Sequence, residues 1–235
     1  SIGPISLQQV PGPQAKEAAK LLAAWFEAKT AQMTIKEKII GDILKGLGFM
    51  PLKIVKKKIA GHLWIEANTV PIQDKRVCPV SFFGSEAEGR YRILCVWDRP
   101  SEDEILAAIG DTSRGTPAII FHFGRMSEKR RRDLAHLSRD RRRSFLLVDD
   151  MLVFYLCGER GSRLPTLFQC TLPFTYSEPF TTTAGLVPTE IFYGREREKV
   201  SVMDPKGSCF IYGGRQLGKT AILRAVQREF HQPDR

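Results

Sequence analysis

Near the end of the chain, Gly213 is followed by four residues and then by Gly218-Lys219-Thr220, the spacing G-x-x-x-x-G-K-[ST]. These residue types suit the capture of a polyphosphate. Glycines let the backbone curl until successive N–H groups face one centre, and they keep Cβ atoms out of the anion's path. A helix beginning at the lysine turns its free amides and the positive end of its dipole toward the same point. In that arrangement Lys219 reaches the β- and γ-phosphates, the Thr220 hydroxyl binds Mg²⁺, and Gly218 lets Lys219 approach. Gly214, Arg215, Gln216, Leu217 and Ala221 contribute mainly main-chain donors. The ligand so described is a nucleoside triphosphate with Mg²⁺. The competing reading is a glycine-rich turn beside a surface lysine.

The flanking sequence predicts the elements such a loop needs. Cys209, Phe210, Ile211 and Tyr212 form a short apolar, β-prone run, which predicts a buried strand entering the loop. After Thr220 the apolar residues fall at 222, 223, 226 and 230, a helical spacing.

A second motif lies just upstream, in the stretch from Ile191 to Glu198. Gly194-Arg195-Glu196-x-Glu198 resembles the F-x-G-R-E-x-E box of STAND and AAA-related ATPases, including origin-recognition ATPases, and the run from Tyr212 to Leu223 resembles their Walker A segment. The resemblance covers about residues 190–235 and implies the start of a P-loop NTPase domain. It also implies ATP and Mg²⁺ as cofactors, a box (Tyr193, Gly194, Arg195) packed near the adenine, and a bacterial, ATP-dependent hydrolase acting as a switch in signalling or defence. It allows a homo-oligomer of the full-length protein. Read from the residues alone, 194–198 is a helix start, a glycine followed by an acidic first turn. Fifteen residues after Thr220 leave no room for the later strands of such a domain. The expectation is therefore an N-terminal fragment that turns ATP over poorly by itself.

Composition sets the frame. The chain has 235 residues, 43% of them hydrophobic and 26% charged, enough for a core, and a formal net charge of +10 that favours a polyanionic partner. Cys78, Cys95, Cys157, Cys170 and Cys209 are odd in number and lack a C-x-x-C pair, which predicts reduced core residues of a cytoplasmic protein rather than a zinc site or disulfide framework. No apolar run approaches the ~20 residues of a membrane span.

Stepping along the sequence, residues 1–14 read as a flexible leader, 15–157 as a small α/β domain, 158–187 as an irregular connector and 188–235 as the incomplete ATPase start. Helices are predicted over 15–32, with Ala18, Leu22, Trp25 and Phe26 on one face, and from Thr34, its expected cap, to Gly48. Ile35, Ile39, Ile43 and Leu47 stripe the second helix. Strands are predicted over 53–59, 62–70, 91–97, 116–123 and 144–148, with parallel pairing expected where helices alternate with them. Ser101 and Glu104 spell a capping box, Ser127 caps a helix to Arg143, and another helix begins near Met151. His122 reads as a strand residue. In the connector, Leu167, Phe168, Leu172, Phe174 and Phe180 are too apolar for a free linker and predict a segment that folds back onto the domain.

Two further constellations compete with the loop. Residues 125–143 hold nine basic and three acidic side chains, +6 of the chain's +10, and Arg130, Arg131, Arg132, Arg139, Arg141, Arg142 and Arg143 could dock a nucleic-acid backbone. Against this, the segment lacks aromatic residues for base stacking. The run Phe145 to Asp150 resembles a Walker B strand but precedes the loop, where that family places it after. Finally, the helix running into Gly48 and Phe49 and then strands resembles the opening of restriction-endonuclease-like nucleases. That family requires an Asp and an E-x-K on adjacent strands, and Glu66 and Asp74 stand here without such partners, so a nuclease-related module is expected only in degenerate form.

Overall fold

In the computed structural model, residues 12–110, 115–178, 187–214 and 218–230 are described. Most of the expected leader lies outside them; residues 12–14 already belong to α1 (Gly12–Ala31). The core stripe of α1 is Ala18, Leu21, Trp25 and Ala28, while Phe26 turns outward at 47% exposure. A short 3-10 turn, Gln32–Thr34, leads to α2 (Glu37–Leu47), whose N-cap is Lys36; Thr34 does not cap it. The striped residues Ile39, Ile40, Ile43, Leu44 and Leu47 are all buried. Gly48 closes the helix in the left-handed region at φ 101°, its N–H reaching the carbonyls of Leu44 and Lys45.

Five strands follow, β1 (Pro51–Ile59), β2 (His62–Thr69), β3 (Arg90–Val96), β4 (Ala118–His122) and β5 (Phe145–Asp149), lying side by side in chain order. Pairing is antiparallel for β1–β2 and β2–β3 and parallel for β3–β4 and β4–β5, so the sheet is mixed rather than parallel throughout. The connections dictate this. Two residues, Ala60 at φ 48° and Gly61 at φ 81°, join β1 to β2, and a loop that short permits only an antiparallel hairpin. The parallel pairs are bridged by α3 (Glu102–Ile109) and α4 (Glu128–Asp140).

Helices cover both faces. On one side α1, α2, α5 (Asp150–Cys157) and α6 (Arg163–Thr171) pack over Leu63, Ile65, Ile93, Ile119, Phe121, Leu146 and Val148. On the other, α3 and α4 cover Leu94, Val96, Ile120, Phe145 and Leu147. The capping box forms: the Glu104 N–H donates to Ser101 Oγ (3.3 Å) and the Ser101 N–H to Glu104 Oε2 (2.6 Å). The Arg130 N–H donates to Ser127 Oγ in the same way.

The first part of the expected connector is not irregular: residues 163–174 are helical. They carry α6, and Leu167 and Phe168 are fully buried, Phe168 standing edge-on to Phe49. Leu172 and Phe174 are half-buried in a 3-10 turn, and Phe180 lies outside the described residues. Among the described residues, no helix is long and apolar enough to cross a membrane.

Candidate functional site

The chain returns to the body before reaching the loop. Pro188 and Glu190 are buried, and Glu190 accepts hydrogen bonds from the Ser85 N–H (2.6 Å) and the Ser85 hydroxyl (2.5 Å). Tyr193 lies under the Lys75 ammonium, 4.3 Å from its ring centre. Gly194, at φ 77°, turns the backbone into α7 (Glu196–Met203), whose acidic first turn holds Glu196 and Glu198. Arg195 pairs with Glu198 at 2.8 Å.

Beyond α7 the expected strand does not form. Cys209–Tyr212 is irregular, with Phe210 88% and Tyr212 93% exposed, and Cys209 is an exposed thiol rather than a core residue. A strand is stabilised by its neighbours' hydrogen bonds and by burial, and β-prone side chains cannot substitute for a missing sheet. The helix does form, as α8 (Lys219–Phe230). Ala221, Ile222 and Val226 are buried, Leu223 and Phe230 are exposed, and Lys199 of α7 pairs with Glu229 at 2.5 Å. The Arg228 guanidinium donates to the Val187 carbonyl at 2.6 Å, tying α8 to the segment that precedes the box.

At the head of α8 the Lys219 ammonium donates to the carbonyls of Gly213 (2.8 Å) and Gly214 (2.7 Å). The loop is closed on its own lysine. Gly213 (φ 146°) and Gly218 (φ 79°) take backbone conformations that side chains disfavour, and nothing lies within 4 Å of where a Gly218 Cβ would stand. Arg215, Gln216 and Leu217 lie outside the described residues. Thr220 is exposed and Ala221 buried. An open groove of about 330 Å³ runs between α7 and the head of α8, lined by Arg195, Glu198, Val202, Phe210, Lys219 and Ile222 among others. It brings the arginine of the upstream box and the lysine of the loop to one surface.

The other constellations are committed elsewhere. Asp149 is 1% exposed, caps α5 by accepting the Leu152 N–H and pairs with Arg131; Asp150 takes the Trp25 indole N–H (2.8 Å) and Lys29 (2.5 Å). Most of the candidate arginines hold groups of this chain: Arg130 binds Glu102 and the Pro100 carbonyl, Arg131 Asp149, Arg132 Glu128, Arg139 the Pro173 carbonyl, and Arg141 Asp103. Arg142 occupies the left-handed region after α4. Glu66 pairs with Lys57 on β1 (2.6 Å), and Asp74 sits in the β2–β3 loop, where the Arg76 guanidinium lowers its pKa to about 2. The two carboxylates share no site, and no group of three potential metal ligands occurs among the described residues. The Glu190–Ser85 contact was not foreseen from the sequence. Its only trace there is a glutamate between Pro188 and the box.

No protein-family model, curated protein or solved structure matches the chain.

Proposed function

We propose that this protein binds ATP·Mg²⁺ through residues 213–221 and acts as a nucleotide-responsive switch of the STAND/AAA-related kind. The observation that carries the reading is the placing of Lys219. It is the first residue of a twelve-residue helix, at the mouth of a groove shared with Arg195 and Glu198, and among the described residues its ammonium is held by two main-chain carbonyls. The donor set fits a polyphosphate: one ammonium, the free amides of a helix first turn, an exposed hydroxyl at Thr220 and open space at Gly218. When bound, the metal would neutralise phosphate charge, with Thr220 as its protein ligand. Lys219 exchanges its two carbonyls for phosphate oxygens, a stronger charge-assisted contact, and frees the loop it had closed. Through α8, Arg228 and Val187, the loop connects to the segment that Glu190 anchors on the body, so a change at the loop has a physical route to the α/β domain.

The test is a titration of the 235-residue chain with a fluorescent ATP analogue and Mg²⁺. Lys219→Ala removes a hydrogen bond to a charged group, worth ~1.5–3 kcal/mol, and should weaken binding roughly ten- to hundredfold. Equal affinity for wild type and variant would overturn the assignment.

A further inference from the structure

We propose that the free edge of β1 is a docking site for an acidic, extended segment of a partner protein, which adds to the sheet as a sixth strand. Among the described residues β1 pairs with β2 alone and stands at the end of the strand order, so its outward N–H and C=O groups face away from the sheet along nine residues. The far edge is different. At β5 the Phe145 N–H donates to Thr175 Oγ1 (2.8 Å) and the Ser144 hydroxyl to the Tyr176 carbonyl (2.8 Å), so the returning segment after α6 covers that side. Among the described residues nothing comparable lies along β1, where Leu52 is 74% and Ile59 52% exposed.

Its side chains state what kind of strand would fit. Successive residues point to opposite faces, so Lys53 and Lys57 stand on one face and Lys56 and Lys58 on the other. Lys56 is tied to the Ile35 carbonyl (2.8 Å) and Lys57 to Glu66 (2.6 Å); Lys53 and Lys58 make no hydrogen bond or ion pair among the described residues. An added strand would therefore meet lysine side chains on both of its faces, with facing Cβ atoms about 5 Å apart across the new ladder. Alternating carboxylates and apolar residues would answer them, with Leu52 and Ile59 offering apolar contacts at the two ends. Main-chain pairing would supply affinity and the lysines selectivity, as in other strand-addition sites.

The same residues argue against other occupants. A second copy would set β1 against β1. Antiparallel pairing centred on Val55 would put Lys53 opposite Lys57, and like charges directly opposed are destabilising. A nucleic-acid strand could meet the charge but would find no exposed aromatic ring on β1 to stack a base, and it would leave the main-chain edge unused. Lysines on an edge also refuse neutral apolar strands, which is how exposed edges avoid indiscriminate pairing. That refusal and the selection of an acidic segment are two sides of one device.

The experiment uses the full 235-residue chain. The probes are a fluorescein-labelled peptide alternating glutamate and valine, the same peptide with lysine for glutamate, and labelled oligothymidylate. Binding is read by anisotropy at low and physiological salt, and the amides of 52–58 by hydrogen exchange. The expected result is binding of the acidic peptide alone, with slowed exchange in 52–58. Combining Lys53→Glu, Lys57→Glu and Lys58→Glu should weaken it about tenfold or more. If that variant misfolds, Lys53→Gln with Lys58→Gln touches only the two unpaired lysines and should weaken binding measurably. The proposal is overturned by no binding of the acidic peptide, by equal binding of the lysine peptide, or by binding without amide protection. Preference for oligothymidylate, or a wild-type dimer whose interface protects 52–58, overturns it too.

Discussion

His122 shows how one buried side chain makes stability depend on pH. It lies on β4 in register with Val96 and Asp149, fully buried. Its Nδ1 stands 3.1 Å from the Gly124 carbonyl, which can only accept, so Nδ1 carries the proton and Nε2 is a buried lone pair with no partner among the described residues. Burial is the main cause that depresses its pKa below 6.5, with Arg130 adding to it, while the Gly124 carbonyl and Asp149 oppose the shift. Above pH 6.5 the imidazole is neutral in both the folded and the unfolded chain. Below it, the unfolded chain takes up a proton that the fold resists, so stability falls with pH until the folded pKa is reached, by at most about 1.4 kcal/mol per pH unit. His122→Asn should lower Tm at neutral pH but flatten its decline between about pH 6.5 and 5.5. Parallel declines in the two proteins would mean that His122 is not the titrating group. The cysteines divide by the same logic of burial. The thiol of Cys78 is pushed up to about 12 and that of Cys95 is raised as well, whereas Cys209 lies open to solvent.

At the scale of elements, α6 carries the sharpest lesson. Phe168 is fully buried and edge-on to Phe49, so Phe168→Ala should cost ~3–5 kcal/mol in urea denaturation, whereas Leu52→Ala on the open edge should cost almost nothing. A loss below ~1 kcal/mol at Phe168 would show that α6 is an appendage rather than part of the core. The residues that bind α6 to the core were legible in the sequence, but their helix was not, because Gly158, Gly161 and Pro165 read as turn signals. Pro165 is the third residue of α6, in the first turn, where the missing N–H has no intrahelical partner to lose. Signals that act locally read through: the stripe of α2 and the capping box of α3 need only residues three or four apart. Strand direction was only partly legible. Alternation with helices points to parallel pairs and holds for β3 to β5, but the two-residue hairpin at Ala60 and Gly61 overrides it for β1 and β2.

Across the whole molecule, the candidate site is built less firmly than the body that carries it. The loop spacing, the helix after it and the box before it could be read from the sequence because each is a local pattern; the strand over 209–212 could not, because strand formation depends on partners elsewhere in the chain. The consequence is a gradient of stability. Every residue of β4 and β5 is buried, with helices on both faces and paired strands alongside. Among the described residues, α7 buries none of its own side chains, and α8 buries only Ala221, Ile222 and Val226. Besides those three, the Lys199–Glu229 pair joins α8 to α7, and the Arg228–Val187 hydrogen bond ties α8 to the segment before the box. Local opening free energy follows buried apolar contact, so this region should open far more often than the sheet. Hydrogen exchange on the 235-residue chain should find amides of 209–214 nearly unprotected, α8 intermediate and β4 and β5 slowest. ATP·Mg²⁺ should slow the first turn of α8, through ligand linkage at Lys219, and leave β4 and β5 unchanged. Protection over 209–230 equal to that over 118–149 without nucleotide would mean that the loop already sits in a rigid site. Lys219 would then be a fixed structural clasp on Gly213 and Gly214, and not a residue waiting to exchange its partners.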